Sequence, residues 1–319
     1  MAEFAAPTLR DIHTASARIA AHARVTPVLR SAELDALAGA TLLFKCEHLQ
    51  VGGAFKFRGA CNAVWSLDDD EAGRGVVTHS SGNHGAALAL AARTRKIPAH
   101  IVVPEGAVAA KLANIERAGG ILHRCAPTQA AREEACEKVQ RETGATLVHP
   151  YADARVMAGQ GTIVLELLQQ TPHLDTVIVP IGGGGLASGC AIALAALSPQ
   201  ARLVGAEPAG ANDAFRSLQR GQRVTDIVPH TICDGLRATI GEPNFALLGA
   251  HRVEVITVDD AATLAAMRLV WAELKQTIEP SSAVVLAALL AQRERFAGQR
   301  VGLVLSGGNV DLDALPFAA

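Results

Sequence analysis

Residues 176–197 read TVIVPIGGGGLASGCAIALAAL, a strand-like run followed by four glycines and a helix-like run. The β-branched run Thr176–Pro180 predicts a buried strand, and the Ala- and Leu-rich run Leu186–Leu197 predicts a helix. Gly182–Gly185 join the two, and glycine lets a backbone approach a ligand closely. Because free N–H groups at the start of a helix attract anions, the segment indicates a phosphate-binding loop, with a flexible turn as the alternative.

The same segment also fits a dinucleotide-binding motif. Gly182, Gly184 and Ala187 match the pattern G-x-G-x-x-G/A, and Glu207 ends the next predicted strand, where an acid that binds ribose is expected. A nicotinamide-dependent oxidoreductase is therefore a second hypothesis. This segment alone does not separate it from phosphate binding.

Strand-like and helix-like runs alternate along most of the chain. Such alternation is typical of a mostly parallel sheet that is covered by helices on both faces. The predicted strands are Leu42–Cys46, Val76–Thr78, His100–Val103, Thr176–Pro180, Arg202–Glu207, Arg252–Val258 and Val301–Leu305. The predicted helices include Gly85–Arg95, Ala107–Ala118, Leu186–Leu197 and Ala261–Gln276.

The composition excludes several classes of function. The 319 residues carry 29 basic and 31 acidic side chains, so no basic field exists to hold nucleic acid. The uncharged stretch 177–197 is long enough to span a bilayer, but Pro180 and the glycines break it, so no membrane association is expected. The N-terminus lacks the apolar core of a secretion signal and the six cysteines are scattered, which together predict a cytoplasmic protein with reduced thiols.

Three further glycine-bearing segments follow predicted strands, where open α/β sheets bind ligands. They read GGAFKFRGA (52–60), SSGNHGAALA (80–89) and SGGNVD (306–311). In the first, Lys56 lies between Phe55 and Phe57, and apolar surroundings lower the pKa of a lysine and favour the neutral amine that forms a Schiff base. The alternative is a surface lysine with its stem on apolar residues. The chain has only six lysines, and Lys56 alone lies in such a loop.

The other two segments carry small polar side chains. Ser80–Gly85 precedes a predicted helix, so it suits a bound carboxylate or, alternatively, an ordinary helix cap by Ser81 or Asn83. His84 taken alone is more typical of a structural histidine. Ser306 ends the last predicted strand, where a hydroxyl can meet a ligand ring nitrogen, but by itself this segment indicates only a turn.

In this order and spacing, the segments AFKFRGA, SSGNHG, GGGGLASG and SGGNVDL resemble the fold-type-II pyridoxal-phosphate (PLP) enzymes, and most closely the branch of serine/threonine dehydratases and serine racemase. The resemblance extends from about Thr8 to Leu312. It implies a two-domain α/β fold of three-layer open sheets, like that of the tryptophan synthase β subunit. A large cofactor-binding domain, residues 1–74 and 153–319, would be interrupted by a small domain, residues 75–152.

The resemblance also implies which residues hold PLP. Lys56 matches the lysine that binds the cofactor and later moves the substrate Cα proton, and Phe55 matches a residue packed beside the ring. Asn83 would bond the ring hydroxyl, and Ser306 would face the pyridine nitrogen. The phosphate would lie at Gly182, Gly183, Gly184 and Gly185.

On the substrate side, the resemblance places Ser81, Asn83 and His84 in the loop that receives the substrate carboxylate. Ser81 also corresponds to the second acid/base of the racemase, opposite the lysine. Because Ser306 offers a hydroxyl rather than a carboxylate, the pyridine should stay largely unprotonated. A weaker electron sink favours rapid loss of a β-hydroxyl over a long-lived carbanion.

A cation site is implied as well. Glu207, the carbonyl of Ala211 and Asp213 fall where this branch binds a divalent cation, and their hard oxygen atoms suit Mg²⁺, Ca²⁺ or Mn²⁺. A solvated acidic turn is the alternative.

The expected activity is that of a PLP-dependent dehydratase (ammonia-lyase) that converts threonine, serine or 3-hydroxyaspartate to a 2-oxo acid and ammonia. Serine racemase activity is the nearest alternative. A non-enzymatic small-ligand sensor is a third, and it would need neither Lys56 nor Ser81. The family further implies a homodimer, and the short stretch after SGGNVDL leaves no space for the C-terminal regulatory domain of biosynthetic threonine dehydratases.

Overall fold

The computed structural model describes residues 4–311 and residue 317, so Leu312, the last residue of SGGNVDL, lies outside the described residues. The strands are β1 (Val28–Leu29), β2 (Thr41–Lys45), β3 (Val76–His79), β4 (Ala99–Pro104), β5 (Ile121–Cys125), β6 (Thr146–Leu147), β7 (Thr176–Pro180), β8 (Arg202–Pro208), β9 (Glu254–Val258) and β10 (Arg300–Val304). They form a six-stranded sheet of order β1-β2-β10-β7-β8-β9 and a four-stranded sheet of order β5-β4-β3-β6. Among these strands only β1 and β2 pair antiparallel.

Helices fill most of the connections between the strands. They are α1 (Leu9–Ile19), α2 (Ala32–Ala38), α3 (Lys56–Trp65), α4 (Asp69–Arg74), α5 (Asn83–Arg95), α6 (Ala109–Arg117), α7 (Gln129–Thr143), α8 (Ala154–Gln170), α9 (Gly185–Leu197), α10 (Asp213–Arg220), α11 (Glu242–Ala250), α12 (Asp260–Leu269), α13 (Pro280–Ala291) and α14 (Arg293–Phe296).

Successive side chains of a strand point to opposite faces of its sheet, and here those on both faces are apolar. Helices therefore pack on both faces of each sheet. In the larger sheet, Val177 and Val179 of β7 pack in the core that includes α8 and α9, whereas Ile178 packs in the core that includes α13. In the smaller sheet, Ile101 of β4 faces α3 and α5, and Val102 faces α7. Both sheets are therefore the middle layer of three, as the predicted fold class requires.

The strands of the smaller sheet all lie between residues 76 and 147, inside the segment 75–152. We keep that segment as the proposed extent of the small domain. No helix in the described part of the chain is both long and apolar enough to cross a membrane. The six cysteines form no disulfide, and all but Cys125 are buried.

Two element boundaries differ from the sequence prediction for local reasons. Strand β9 begins at Glu254 rather than Arg252, because Arg252 has a φ of 52°, which a strand does not admit. The α-helix predicted to end at Gln276 ends at Leu269 and continues as a π-helical turn over Val270–Leu274. The edge strand β5 was not predicted; it reads ILHRC and is mostly half-exposed, so it lacks an apolar run.

Parallel pairing brings the segments after β3, β7 and β10 to the carboxyl ends of their strands. These are the segments SSGNHG, GGGG and SGGN. Ligands of open α/β sheets bind at such ends.

Candidate functional site

Lys56 is the first residue of α3, and the segment that follows β10 fixes the turn before it. Ala54 forms an isolated bridge with Gly307, and the Phe55 N–H donates to the Ser306 carbonyl at 2.9 Å. The Lys56 Nζ donates to the Pro150 carbonyl at 3.0 Å and lies 5.1 Å from the centre of the Phe55 ring. Two of the predicted segments, 52–60 and 306–311, are thus in direct contact.

The surroundings of Lys56 favour its neutral amine. Burial lowers the pKa of Lys56 to about 8, against the opposing effect of the Glu279 carboxylate, which raises it. Lys56 is half-buried and its amine contacts the Pro150 carbonyl, so it differs from a surface lysine whose amine lies in water.

A buried ionic cluster holds the helix that Lys56 begins. Arg58 is 1% exposed and bonds Glu47 through Nε at 2.7 Å and Glu166 through Nη1 at 2.7 Å. Lys45 is fully buried and donates to the same Glu166 at 2.8 Å. Paired charges of this kind resist displacement, since removing one partner leaves a buried charge uncompensated. These ion pairs therefore hold α3 in place at Arg58, two residues after Lys56.

The glycine loop leaves a row of N–H groups free at the start of α9. Gly184 has a φ of 92°, and a Cβ there would lie 2.7 Å from the Asn244 Cβ, so only glycine fits. Within the described residues no side chain caps α9, and the amides of Gly185 and Leu186 have no hydrogen-bond partner. This arrangement suits a bound phosphate.

Tyr151 connects the glycine loop to Lys56. A Cβ at Gly183 would clash with the Tyr151 ring, and the Asn244 Nδ2 donates to the Tyr151 carbonyl at 3.0 Å. The preceding residue, Pro150, is the one whose carbonyl accepts from Lys56. The sequence did not predict a role for Tyr151, because Gly183 and Asn244, which it contacts at the glycine loop, are distant in the chain.

The segment 80–85 turns tightly into α5, which begins at Asn83. A Cβ at Gly85 would clash with the Ser80 carbonyl, so the turn requires glycine. Ser81 is half-buried, and its hydroxyl bonds no other described residue. His84 is buried; its Nε2 is 3.2 Å from the Val148 carbonyl, and burial holds its pKa well below the usual value. It is neutral, with Nδ1 unpartnered in the described structure.

Ser306 is 3% exposed at the end of β10. Its Oγ lies 3.1 Å from the Oγ of Ser282, and Ser282 in turn accepts from the Gly307 N–H at 2.7 Å. The Ser306 hydroxyl is therefore held in place by the first turn of α13.

Glu279, just before α13, is a second residue that the sequence analysis missed. Its side chain is 5% exposed and accepts from the Asn83 Nδ2 at 3.0 and 3.1 Å and from the Asn309 N–H at 3.2 Å. Burial raises the pKa of Glu279 to about 7. The local motif Glu-Pro-Ser-Ser indicates only a helix start, so burial of this carboxyl had no sequence signal.

The predicted cation residues lie apart from Lys56, at the end of β8 and the start of α10. Glu207 is fully buried, and its two oxygens accept from the Ala214 and Phe215 N–H groups at 2.9 Å each. The Asp213 Oδ2 accepts from the Ile240 N–H at 2.7 Å. Burial raises the pKa of Glu207 to about 8 and that of Asp213 to about 6. A carboxylate buried in this way is not placed to bind a ribose.

Neither carboxylate forms an ion pair with a lysine or arginine in the described structure. Residues 4–311 and 317 also contain no group of three or more His, Cys, Asp or Glu side chains that could hold a metal. The predicted set has two such side chains and the carbonyl of buried Ala211. Two buried, unpaired acids nevertheless fit a cation, because a charge of opposite sign would offset their burial.

Comparison with known proteins gives consistent matches over nearly the whole chain. A family model described as "Pyridoxal-phosphate dependent enzyme" matches residues 19–307. The chain is 48% identical to the β-hydroxyaspartate dehydratase of Paracoccus denitrificans (strain Pd 1222), over 98% of this chain and 99% of that one. It is 46% identical to maize serine racemase, with a TM-score of 0.95 over 97% and 95% of the chains. The serine racemase of Dictyostelium discoideum is 44% identical, with a TM-score of 0.93 over 97% of this chain and 100% of that one.

Proposed function

Since the chain belongs to the pyridoxal-phosphate-dependent enzyme family, we propose that it is a dehydratase (ammonia-lyase) that converts a β-hydroxy amino acid to a 2-oxo acid and ammonia. The observation that carries this proposal is Lys56, a lysine with a lowered pKa, linked through Pro150 and Tyr151 to an uncapped glycine loop. Similarity to the β-hydroxyaspartate dehydratase makes 3-hydroxyaspartate the first substrate to test, with serine and threonine beside it.

The residues present fit PLP. Free N–H groups at Gly182–Gly185 would hold its phosphate, and the hydroxyl of Ser306 would face its ring nitrogen. Phe55 would pack beside the ring, Asn83 would bond the ring hydroxyl, and Lys56 would hold the carbonyl carbon. When bound, PLP supplies an electron sink for the charge left at the substrate Cα.

In the proposed reaction Lys56 would transfer the protons, and the segment 80–85 would bind the substrate. The neutral Lys56 amine takes the proton from the substrate Cα, which burial of the amine favours. The resulting ammonium can return a proton to the departing β-hydroxyl, which leaves as water. Ser81 and the N-terminus of α5 would bind the substrate carboxylate and hold the Cα proton toward Lys56.

Arg132 supports a substrate with a second carboxylate. It lies in α7, and its charge adds to the effect of burial, the larger cause, in lowering the pKa of His79, which is two residues before Ser81. Its Nε is buried with no hydrogen-bond partner in the described structure. An unpaired guanidinium N–H suits the β-carboxylate of 3-hydroxyaspartate, although exposed Glu133 acts on His79 in the opposite direction.

Serine racemase activity is the second candidate. The unbonded hydroxyl of Ser81, in the same loop as the substrate-binding N–H groups, is the observation that favours it, together with the similarity to maize serine racemase. A divalent cation at Glu207, Ala211 and Asp213 and a homodimer belong to the same proposal. A cytoplasmic location stays a prediction from the sequence.

The proposed function is tested by measuring 2-oxo acid release from a panel of 3-hydroxyaspartate, serine and threonine, with chirality of the residual amino acid as a second readout. Lys56→Ala should lower the rate by about 10³-fold or more and remove the visible absorbance that borohydride bleaches in the parent. Lys138→Ala, at an exposed lysine, should change neither. Arg132→Gln should lower turnover of 3-hydroxyaspartate far more than that of serine. Parent-like 2-oxo acid release by Lys56→Ala would exclude the proposal.

A further inference from the structure

Glu279 is a buried carboxyl that contacts the proposed PLP site, and the proposed reaction gives it no task. It precedes α13 and is 5% exposed. Within the described residues it pairs with no lysine or arginine. Burying an acid without such a partner is unfavourable in free energy, so Glu279 depends on its hydrogen bonds.

Those hydrogen bonds form a closed network with two asparagines. The Asn83 Nδ2 donates to both carboxylate oxygens of Glu279, and the Asn309 backbone N–H donates to Oε2. The Asn309 Nδ2 donates to the Asn83 Oδ1 at 2.9 Å and to the Gly52 carbonyl at 2.9 Å. The network therefore connects three of the four glycine-bearing segments.

This network also fixes the orientation of the Asn83 amide. Its Oδ1 is used by the Asn309 amide, and a carboxylate can only accept, so the Nδ2 group must point to Glu279. A flipped amide would place its oxygen against the carboxylate and its NH₂ against the NH₂ of Asn309.

Two glycines make the network possible. A Cβ at Gly307 would lie 2.7 Å from the Glu279 Oε1, and a Cβ at Gly53 would lie 2.5 Å from the Asn309 Oδ1. Both distances are shorter than a Cβ atom can adopt. The turns before Lys56 and after Ser306 therefore need glycine at these positions to make room for the polar groups.

We propose that Glu279 is a positioning residue: its two carboxylate oxygens share one Nδ2 hydrogen of Asn83, so that the other Nδ2 hydrogen is offered to the ring oxygen of PLP. This inference rests on the proposed function, because it needs PLP at the site. Glu279 acts through Asn83 and need not touch the cofactor itself.

The surroundings of Glu279 make this hydrogen-bond network sensitive to pH near neutrality. Burial raises its pKa to about 7, Asp234 also raises it, and Lys111 of α6 lowers it, while Glu279 itself raises the pKa of Lys56. A protonated Glu279 would keep one accepting oxygen but present an O–H to the Asn83 Nδ2 at the other, so one of its two bonds to Asn83 would be lost. Acid should therefore loosen the hold on Asn83 as the pH falls through about 7.

The test is a double-mutant cycle read by PLP binding and by the visible absorbance of the holoenzyme. Glu279→Gln places an NH₂ group against the Asn83 Nδ2 donor even where its oxygen still accepts from the Asn309 N–H, so the Kd for PLP should rise about tenfold or more and the absorbance maximum should shift. In an Asn83→Ala background the same change should have little further effect, since the residue it acts through is gone. Glu273→Gln, at an exposed residue of the π-helical turn Val270–Leu274, should leave Kd and spectrum unchanged.

A second variant covers the case in which Glu279→Gln does not fold. Asn309→Ala removes the bond to the Asn83 Oδ1 and keeps the backbone N–H, so it should raise the Kd for PLP and be silent in the Asn83→Ala background. Parent-like Kd and spectrum in either variant, or full additivity with Asn83→Ala, would overturn the role of Glu279. Failure of the parent chain to bind PLP would instead overturn the proposed function.

Discussion

Ser81 is the residue at which elimination and racemisation should separate. Its hydroxyl bonds no other described residue, so it is available to a substrate, and the resemblance implies that it lies on the side away from Lys56. Elimination needs one base at Cα, whereas racemisation needs a second group to return the proton on the opposite face. Since Ser81 would also help to bind the substrate carboxylate, its loss should affect both activities, but racemisation more than elimination.

Ser81→Ala should therefore lower the racemisation rate by about 10²-fold or more, while elimination falls by less than about tenfold. The measurement is a single reaction mixture of L-serine, followed for pyruvate and for D-serine. Ser16→Ala, in α1, controls for loss of a hydroxyl elsewhere. Equal loss of both activities would show that Ser81 only positions the substrate.

Individual residues also show which parts of the site can be predicted from a sequence. The lowered pKa of Lys56 was predictable because its apolar neighbours and its glycines are adjacent in the chain, whereas its role as the PLP lysine stays a prediction. Glu279 was not, because the Asn83 amide that engages it is 196 residues away. Roles assigned by the resemblance to Ser81, Asn83 and Ser306 stay predictions, although their contacts are compatible with them.

At the scale of elements, the glycine loop is shaped as much by what packs on it as by its own sequence. The strand β7 and the helix α9 have the predicted bounds to within a residue, because a β-branched run and an Ala-rich run flank the glycines. Tyr151, which closes the loop from the segment between β6 and α8, is invisible in that pattern. The short strands β1 and β6 were missed because two residues carry no periodicity.

Gly183→Ala tests the packing of this loop. The new Cβ would clash with the Tyr151 ring, so the loop or the ring must move. We expect the free energy of unfolding to fall by about 1–3 kcal/mol and the Kd for PLP to rise by about tenfold or more. Chemical denaturation and a PLP titration measure the two effects.

Gly73→Ala is the matched control for that substitution. Gly73 lies in α4, and a Cβ there meets nothing within 4 Å. It should leave the Kd for PLP unchanged and raise stability by about 0.5–1 kcal/mol, because alanine is the better helix former. A Gly183→Ala protein with unchanged Kd and stability would mean that the loop tolerates a side chain.

For the whole molecule, the half-buried His149 should help to set the acid limit of stability. Burial lowers the pKa of His149 from 6.5 to about 4, and its Nδ1 accepts from the Tyr151 and Ala152 N–H groups. The unfolded chain binds the proton at a higher pH than the folded protein. The stability from this group is therefore complete above pH 6.5 and is lost as the pH falls toward about 4.

His149→Asn should flatten that acid loss by roughly 2–3 kcal/mol, because the Asn Oδ1 can accept the same N–H groups but does not titrate. The measurement is the free energy of unfolding as a function of pH, parent against variant. His13→Asn, at an exposed histidine, should follow the parent curve. A His149→Asn curve parallel to that of the parent would show that other groups govern acid unfolding.

The proposed cation site also concerns the whole molecule, since a short series of hydrogen bonds connects it to the glycine loop. Asp213 accepts from the Ile240 N–H, and the next residue, Gly241, donates to the Gly183 carbonyl at 3.2 Å. A cation that orders Asp213 should therefore also order the glycine loop. It should raise both the stability of the fold and its affinity for PLP.

Saturating Mg²⁺, at about 100 times its Kd, should raise the free energy of unfolding by about 2.7 kcal/mol and lower the Kd for PLP, and a chelator should reverse both. Asp213→Asn keeps an oxygen for the Ile240 N–H but removes a charge, so it should abolish most of the response. Asp226→Asn, at an exposed acid, should respond like the parent. The assignment fails if Asp213→Asn and Asp226→Asn respond alike, because Mg²⁺ would then act elsewhere on the protein.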